Sequence, residues 1–106
     1  MSMGATVVTY TVDPANADEL HRRVREHIVP AARGAAGYRG FLLLDQGDGK
    51  RLAIVCFDSA DAARAAQGVI GPVGREHIYS LLSEPTQGAL GTLVVGDGIF
   101  AETAPP

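Results

Sequence analysis

Tryptophan is absent, cysteine occurs once, and the remaining aromatics, three Phe and three Tyr, make up only 6% of the chain. A single thiol cannot close an intramolecular disulfide, so the core must hold without covalent staples. Long apolar runs are missing too. The longest, at 41–44 and 52–57, fall far short of the roughly 20 residues that a membrane-crossing helix needs. The first residues carry neither a charged leader nor a long apolar stretch, so a cytoplasmic protein with no membrane span is expected. Positive charge is not in excess either. Nine Lys and Arg stand against twelve Asp and Glu, for a formal net charge of −3, and the basic residues are scattered. A nucleic-acid partner has no electrostatic footprint in such a pattern.

What is present suits one small globular unit. With 106 residues, 46% hydrophobic and 20% charged, the chain reads as one domain over 1–106, with a core over about 5–100 and a mobile tail at 101–106. Its organising stretch is Gly37 to Ala66. Phe41 to Leu44 and Leu52 to Phe57 are unbroken apolar runs, which implies strands buried on both faces. Between them, Asp45-Gln46-Gly47-Asp48-Gly49-Lys50-Arg51 supplies two glycines able to take positive φ, as a short hairpin loop requires. Asp58-Ser59-Ala60-Asp61 then offers side-chain oxygens and negative charge to a helix start.

In chain order, Met1 to Gly4 reads as a frayed start and Ala5 to Val12 as a strand rich in Val, Thr and Tyr. Alternation puts Val8, Tyr10 and Val12 on one face, assigned to the helix-covered side. Asp13-Pro14 looks like an N-cap followed by proline at the first helical position. Ala17, Leu20, Val24, Ile28 and Ala31 then repeat at helical spacing, with a bend expected near Pro30 and an end at Gly34 to Gly37. The second helix carries Ala62, Ala63, Ala65, Ala66, Val69 and Ile70 and is expected to break at Gly71-Pro72. A shorter helical turn over Val73 to Leu82 and a glycine-interrupted strand over Ala89 to Phe100 complete the reading.

The order βαββαβ predicts an α+β, ferredoxin-like antiparallel sheet with both helices on one face. Its other face is apolar and needs a cover, so a homodimer packed sheet to sheet is expected.

The hairpin and helix entry, Gly37-Tyr38-Arg39-Gly40-Phe41 through Phe57-Asp58-Ser59-Ala60, resemble the dimeric α+β barrel proteins of the antibiotic biosynthesis monooxygenase (ABM) type. The likeness spans roughly Ala5 to Phe100. It implies a cofactor-independent monooxygenase, or a related small enzyme, acting on an aromatic or polyketide-like molecule. The alternative is a non-catalytic dimeric small-molecule-binding or scaffold protein. The haem-degrading branch uses an asparagine, a tryptophan and a histidine; Val8 and Ala66 fall at or near the first two places and His77 near the third. The phenol-oxidising branch also relies on an asparagine and a tryptophan, so either activity would need other residues here. No cofactor and no metal are expected.

The candidate ligand contacts are Tyr10 and His77 as polar groups, with Tyr79, Val8 and Ala66 beside them. Histidine titrates near neutrality and can move a proton, and an inward tyrosine can hydrogen-bond a phenol or quinone. The break at Gly71-Pro72 would make His77 and Tyr79 a movable wall. His21 and His27 lack the His-x-x-x-His spacing of a helical metal site and read as structural. Asp45 and Asp48 read as turn residues, because a calcium loop would need a later bidentate glutamate. Cys56, inside an apolar strand, reads as an inert thiol.

Overall fold

The computed structural model describes residues 2–98. Four strands, β1 (Gly4–Thr11), β2 (Tyr38–Gly47), β3 (Lys50–Phe57) and β4 (Gln87–Thr92), form one sheet in the order β2-β3-β1-β4, with every neighbouring pair antiparallel. Helices α1 (Ala17–Arg23) and α2 (Val29–Arg33) form a first helical layer segment, and α3 (Ala60–His77) a second. All pack on the same face of the sheet, which is the α+β ferredoxin-like arrangement.

Strand parity explains why. Val8 lies opposite Ala53, and Ala53 opposite Leu43, so Val8, Tyr10, Ala53, Val55, Phe57, Phe41 and Leu43 share the helix-covered side. There they meet Leu20, Val24, Ile28 and Ile78 in one cluster and Ala32, Ala63 and Ala66 in another. Phe57, Leu20, Ile28, Ile78 and Val12 are fully buried, each worth roughly 1.5–3 kcal/mol of apolar transfer. Small residues set the spacing between layers. A Cβ on Gly4 would lie 2.5 Å from the backbone of Ala60, so β1 can approach the start of α3 only with glycine there. Of the frayed start expected over Met1 to Gly4, Gly4 is already in the strand and Met3 is buried, while Met1 lies outside the described residues.

The hairpin turns on Asp48-Gly49, both at positive φ (54° and 77°), which is the two-residue loop that suits twisted strands. Gly49 is doubly constrained, because a Cβ there would meet the Val12 carbonyl at 2.4 Å. The helix starts follow their caps. Asp13 accepts from the Ala15 amide at 2.9 Å and Ser59 from the Ala62 amide at 3.0 Å.

The bend expected near Pro30 takes the form of a π-helical stretch, Val24–Ile28, between α1 and α2. Pro30 has no amide to give the carbonyl four residues back and its ring would crowd that carbonyl. The widened turn, with Val29 N–H bonded to Val24 O, makes room for it. Pro72 behaves otherwise. Instead of a break at Gly71-Pro72 followed by a separate turn, α3 runs unbroken from Ala60 to His77, and only Tyr79–Leu81 forms a separate 3-10 turn. Pro72 and Gly68 are both exposed, so water can take the carbonyl that the proline leaves unpaired. Meanwhile the apolar stripe of Ala63, Ala66, Ile70 and Val73 crosses the site without a gap and holds the helix down. The movable wall inferred from that break is therefore absent: His77 ends a continuous helix. The last strand is shorter than expected, Gln87–Thr92, and the expected strand end at Phe100 and tail at 101–106 lie outside the described residues.

Candidate ligand-binding cleft

The helical layer does not close completely over the β2–β3 hairpin. Between them lies a cleft of about 280 Å³. The first helical segment contributes His21, Val24, Arg25 and Val29, β2 contributes Phe41, Leu43 and Asp45, and β3 contributes Arg51. Positions 21, 25 and 29 lie four residues apart, one helical row beside the buried stripe of Leu20, Val24 and Ile28. Phe41, Leu43 and Asp45 alternate along β2 on the helix-covered side, and Asp45 faces Arg51 across the ladder.

Arg51 dominates the chemistry of this cleft. It is only 6% exposed, although it is a guanidinium on a strand whose inward neighbours are Ala53, Val55 and Phe57. Its Nε donates to His21 Nε2 at 3.0 Å, and one Nη donates to Asp45 Oδ1 at 2.9 Å and to the Lys50 carbonyl at 3.1 Å. Asp45 Oδ1 also accepts from the Gly47 amide, so its turn role and its ion pair coexist. A nitrogen that accepts from arginine must present a lone pair, so His21 in this arrangement is the Nδ1–H tautomer. Three elements are thus tied at one corner, with a delocalised cation set against apolar walls.

Of the contacts expected from the sequence, Tyr10 and Val8 belong to the same packed cluster as Val24, Val29, Phe41 and Leu43 and lie behind the cleft. Burial first, and the nearby Tyr79 second, push the Tyr10 hydroxyl up to about 12. Ala66 packs instead with Ala32, Val55, Phe57 and Ala63. His77 stacks on His27 with ring centroids 3.7 Å apart, and its carbonyl accepts from Arg23 at 3.0 Å. Tyr79 is exposed and borders a different surface depression, with Leu82 to Thr86. The sequence-derived set is therefore divided among separate places.

The sequence marks His21 as structural and places Asp45 and Arg51 in a turn segment, and the structure brings the three together. A signal was available: Arg51 has the same strand parity as Ala53, Val55 and Phe57, which puts a charge on the covered side. Among the described residues no group of three or more His, Cys, Asp or Glu side chains could hold a metal ion, and no helix is long and apolar enough to cross a membrane.

No family model matches the chain, and no curated protein matches it by sequence. Solved structures do. A proposed antibiotic biosynthesis monooxygenase from Nitrosomonas europaea superposes with a TM-score of 0.75 at 17% identity, covering 92% of this chain and 95% of the other. SnoaB, a cofactor-independent oxygenase from Streptomyces nogalater, gives 0.73 at 21% identity, covering 91% and 97%. The monooxygenase ActVA-Orf6 of Streptomyces coelicolor, solved with the ligand nanaomycin D, gives 0.73 at 22% identity, covering 91% of each chain. The chain thus has the α+β, ferredoxin-like fold of the antibiotic biosynthesis monooxygenase domain proteins.

Proposed function

We propose that this protein binds a small, largely apolar aromatic or polyketide-like molecule in the cleft between the first helical segment and the β2–β3 hairpin, and oxidises it without a cofactor. The observation that carries the reading is the cleft itself: an apolar recess with one buried guanidinium on its wall, in a fold shared with two oxygenases. In such chemistry the substrate supplies the electrons. A phenol and O2 give a quinone and water, and the protein's part is to hold the ring, exclude bulk water and stabilise the electron-rich form of the substrate. Tyr10 and Val8 would form the backing of that recess, and the molecule would act as a homodimer joined through the uncovered sheet face.

A second reading, a binding module without catalysis, is favoured by His21. Its Nε2 lone pair is already engaged by Arg51, so the cleft's only imidazole offers no free base in this arrangement. The two readings separate in one experiment. Protein is incubated with a panel of polycyclic phenols, with O2 uptake and product mass measured alongside ligand affinity. Enzyme-dependent O2 uptake with incorporation of one oxygen atom supports the oxygenase. Tight binding without turnover supports the module, and absence of both removes the cleft as a site.

A further inference from the structure

We infer that Arg51 is an anion anchor, so that the ligand of this cleft is an aromatic molecule carrying one acidic oxygen function, a carboxylate or an ionised enol or phenol. The inference rests on the cleft being the binding site and adds the charge of what enters it. Arg51 has five N–H donors, and the protein uses those on Nε and one Nη. The other Nη has no hydrogen-bond partner among the described residues, on a side chain that lines the recess. The Nε and the engaged Nη lie on different edges of the guanidinium, so no bidentate edge is free, but the spare terminal nitrogen can still donate to one oxyanion oxygen.

The charge balance of the walls agrees. Arg25 and Arg51 are cationic, Asp45 is anionic and His21 accepts a hydrogen bond as the neutral imidazole, leaving one positive charge in excess, although the whole chain carries −3. Asp45 and Arg25 are both exposed and partly screened by water, so the almost fully enclosed Arg51 is the charge that a ligand inside the recess meets, with Asp45 only partly offsetting it. The remaining walls, Val24, Val29, Phe41 and Leu43, ask for an apolar body behind the charged end. His21 and Asp45 act through Arg51: each fixes one part of the fork, so they are positioning residues.

The test uses neutral and anionic probes of the same shape, 2-naphthoate against 2-naphthamide and 4-hydroxycoumarin against 4-methoxycoumarin. The first pair represents carboxylates and the second ionised enols. Because the protein lacks tryptophan, probe fluorescence can be followed without indole background. The anion of at least one pair is expected to bind about tenfold or more tightly than its neutral partner, the scale of a charged hydrogen bond. Which pair responds identifies the acidic group. Arg51→Gln should abolish the preference, Arg51→Lys should restore part of it, and His21→Phe should reduce the anion-to-neutral affinity ratio. Val29→Trp should block both partners by filling the recess. Equal affinity within both pairs, with block by Val29→Trp, overturns the anion anchor and leaves the cleft standing. Binding that survives Val29→Trp, or no binding by any probe, overturns the cleft and the anchor together. The wild-type comparison decides the matter even if Arg51→Gln fails to fold.

Discussion

At the scale of single residues, burial decides which polar groups remain in one state. Tyr10 sits on the helix-covered side of β1, and its hydroxyl is pushed up to about 12, mainly by desolvation. In the unfolded chain it titrates near 10. Below that pH both states keep the proton and this group gives no pH dependence. Above it the unfolded chain releases the proton first, so stability is lost progressively as pH rises through the folded value. The shift corresponds to about 2–3 kcal/mol at full ionisation. Urea unfolding of wild type and Tyr10→Phe between about pH 9 and about pH 11.5 should show the wild type losing stability faster. Parallel profiles would mean that the phenol is less enclosed than the packing indicates. Cys56 follows the same rule: burial raises its thiol, consistent with the inert role expected from its apolar strand.

Elements show where local sequence signals prevail and where packing overrides them. Pro72 is the clearest conflict, since it sits inside α3 but does not end it. Replacing it with alanine restores an amide donor to the Gly68 carbonyl and removes the ring's crowding. Pro72→Ala is therefore expected to stabilise the protein by about 1–3 kcal/mol in denaturant titration. A loss of stability would show that the proline shapes the helix in a way the core requires. Much of the fold was legible because its signals are local: the Asp48-Gly49 turn, the caps at Asp13 and Ser59, and the alternation along β1 all concern residues within a few positions. Pro72 signals a break that α3 does not make, because its local signal is strong while the stripe that overrides it is long and built partly of alanine. The cleft was not legible for the opposite reason. His21, Asp45 and Arg51 come from a helix and two strands, and only the finished layer arrangement joins them.

At the scale of the whole molecule, the side of the sheet away from the helices remains to be accounted for. Ala5, Val7, Leu42, Leu44, Leu52 and Ile54 share that side by register, and Leu44 is 46% exposed. Parity separates two adjacent leucines: Leu43 points into the helix-covered core and Leu42 away from it. If a second copy covers this face, sedimentation at micromolar concentration will give a dimer, burying in total upward of about 2,000 Å² if the pair is obligate. Leu42→Asp should then dissociate or unfold the protein, because a carboxylate buried without a partner costs several kcal/mol. A wild-type monomer, with Leu42→Asp equally stable, would count against the dimer. The strand order carries a consequence for synthesis. β1 is made first, yet its two neighbours are Phe57 at the end of β3 and Thr92 at the end of β4, both seen opposite Gly4. The 35 residues from 57 to 92 take about 2–7 s to translate at ordinary rates. During that interval a nascent chain can hold three strands with the β1 edge that β4 later covers still unpaired, while the leucine-rich face is also open. An uncovered strand edge of that kind is a template for pairing with another chain, so the order of synthesis leaves β1 open to a neighbour until β4 arrives.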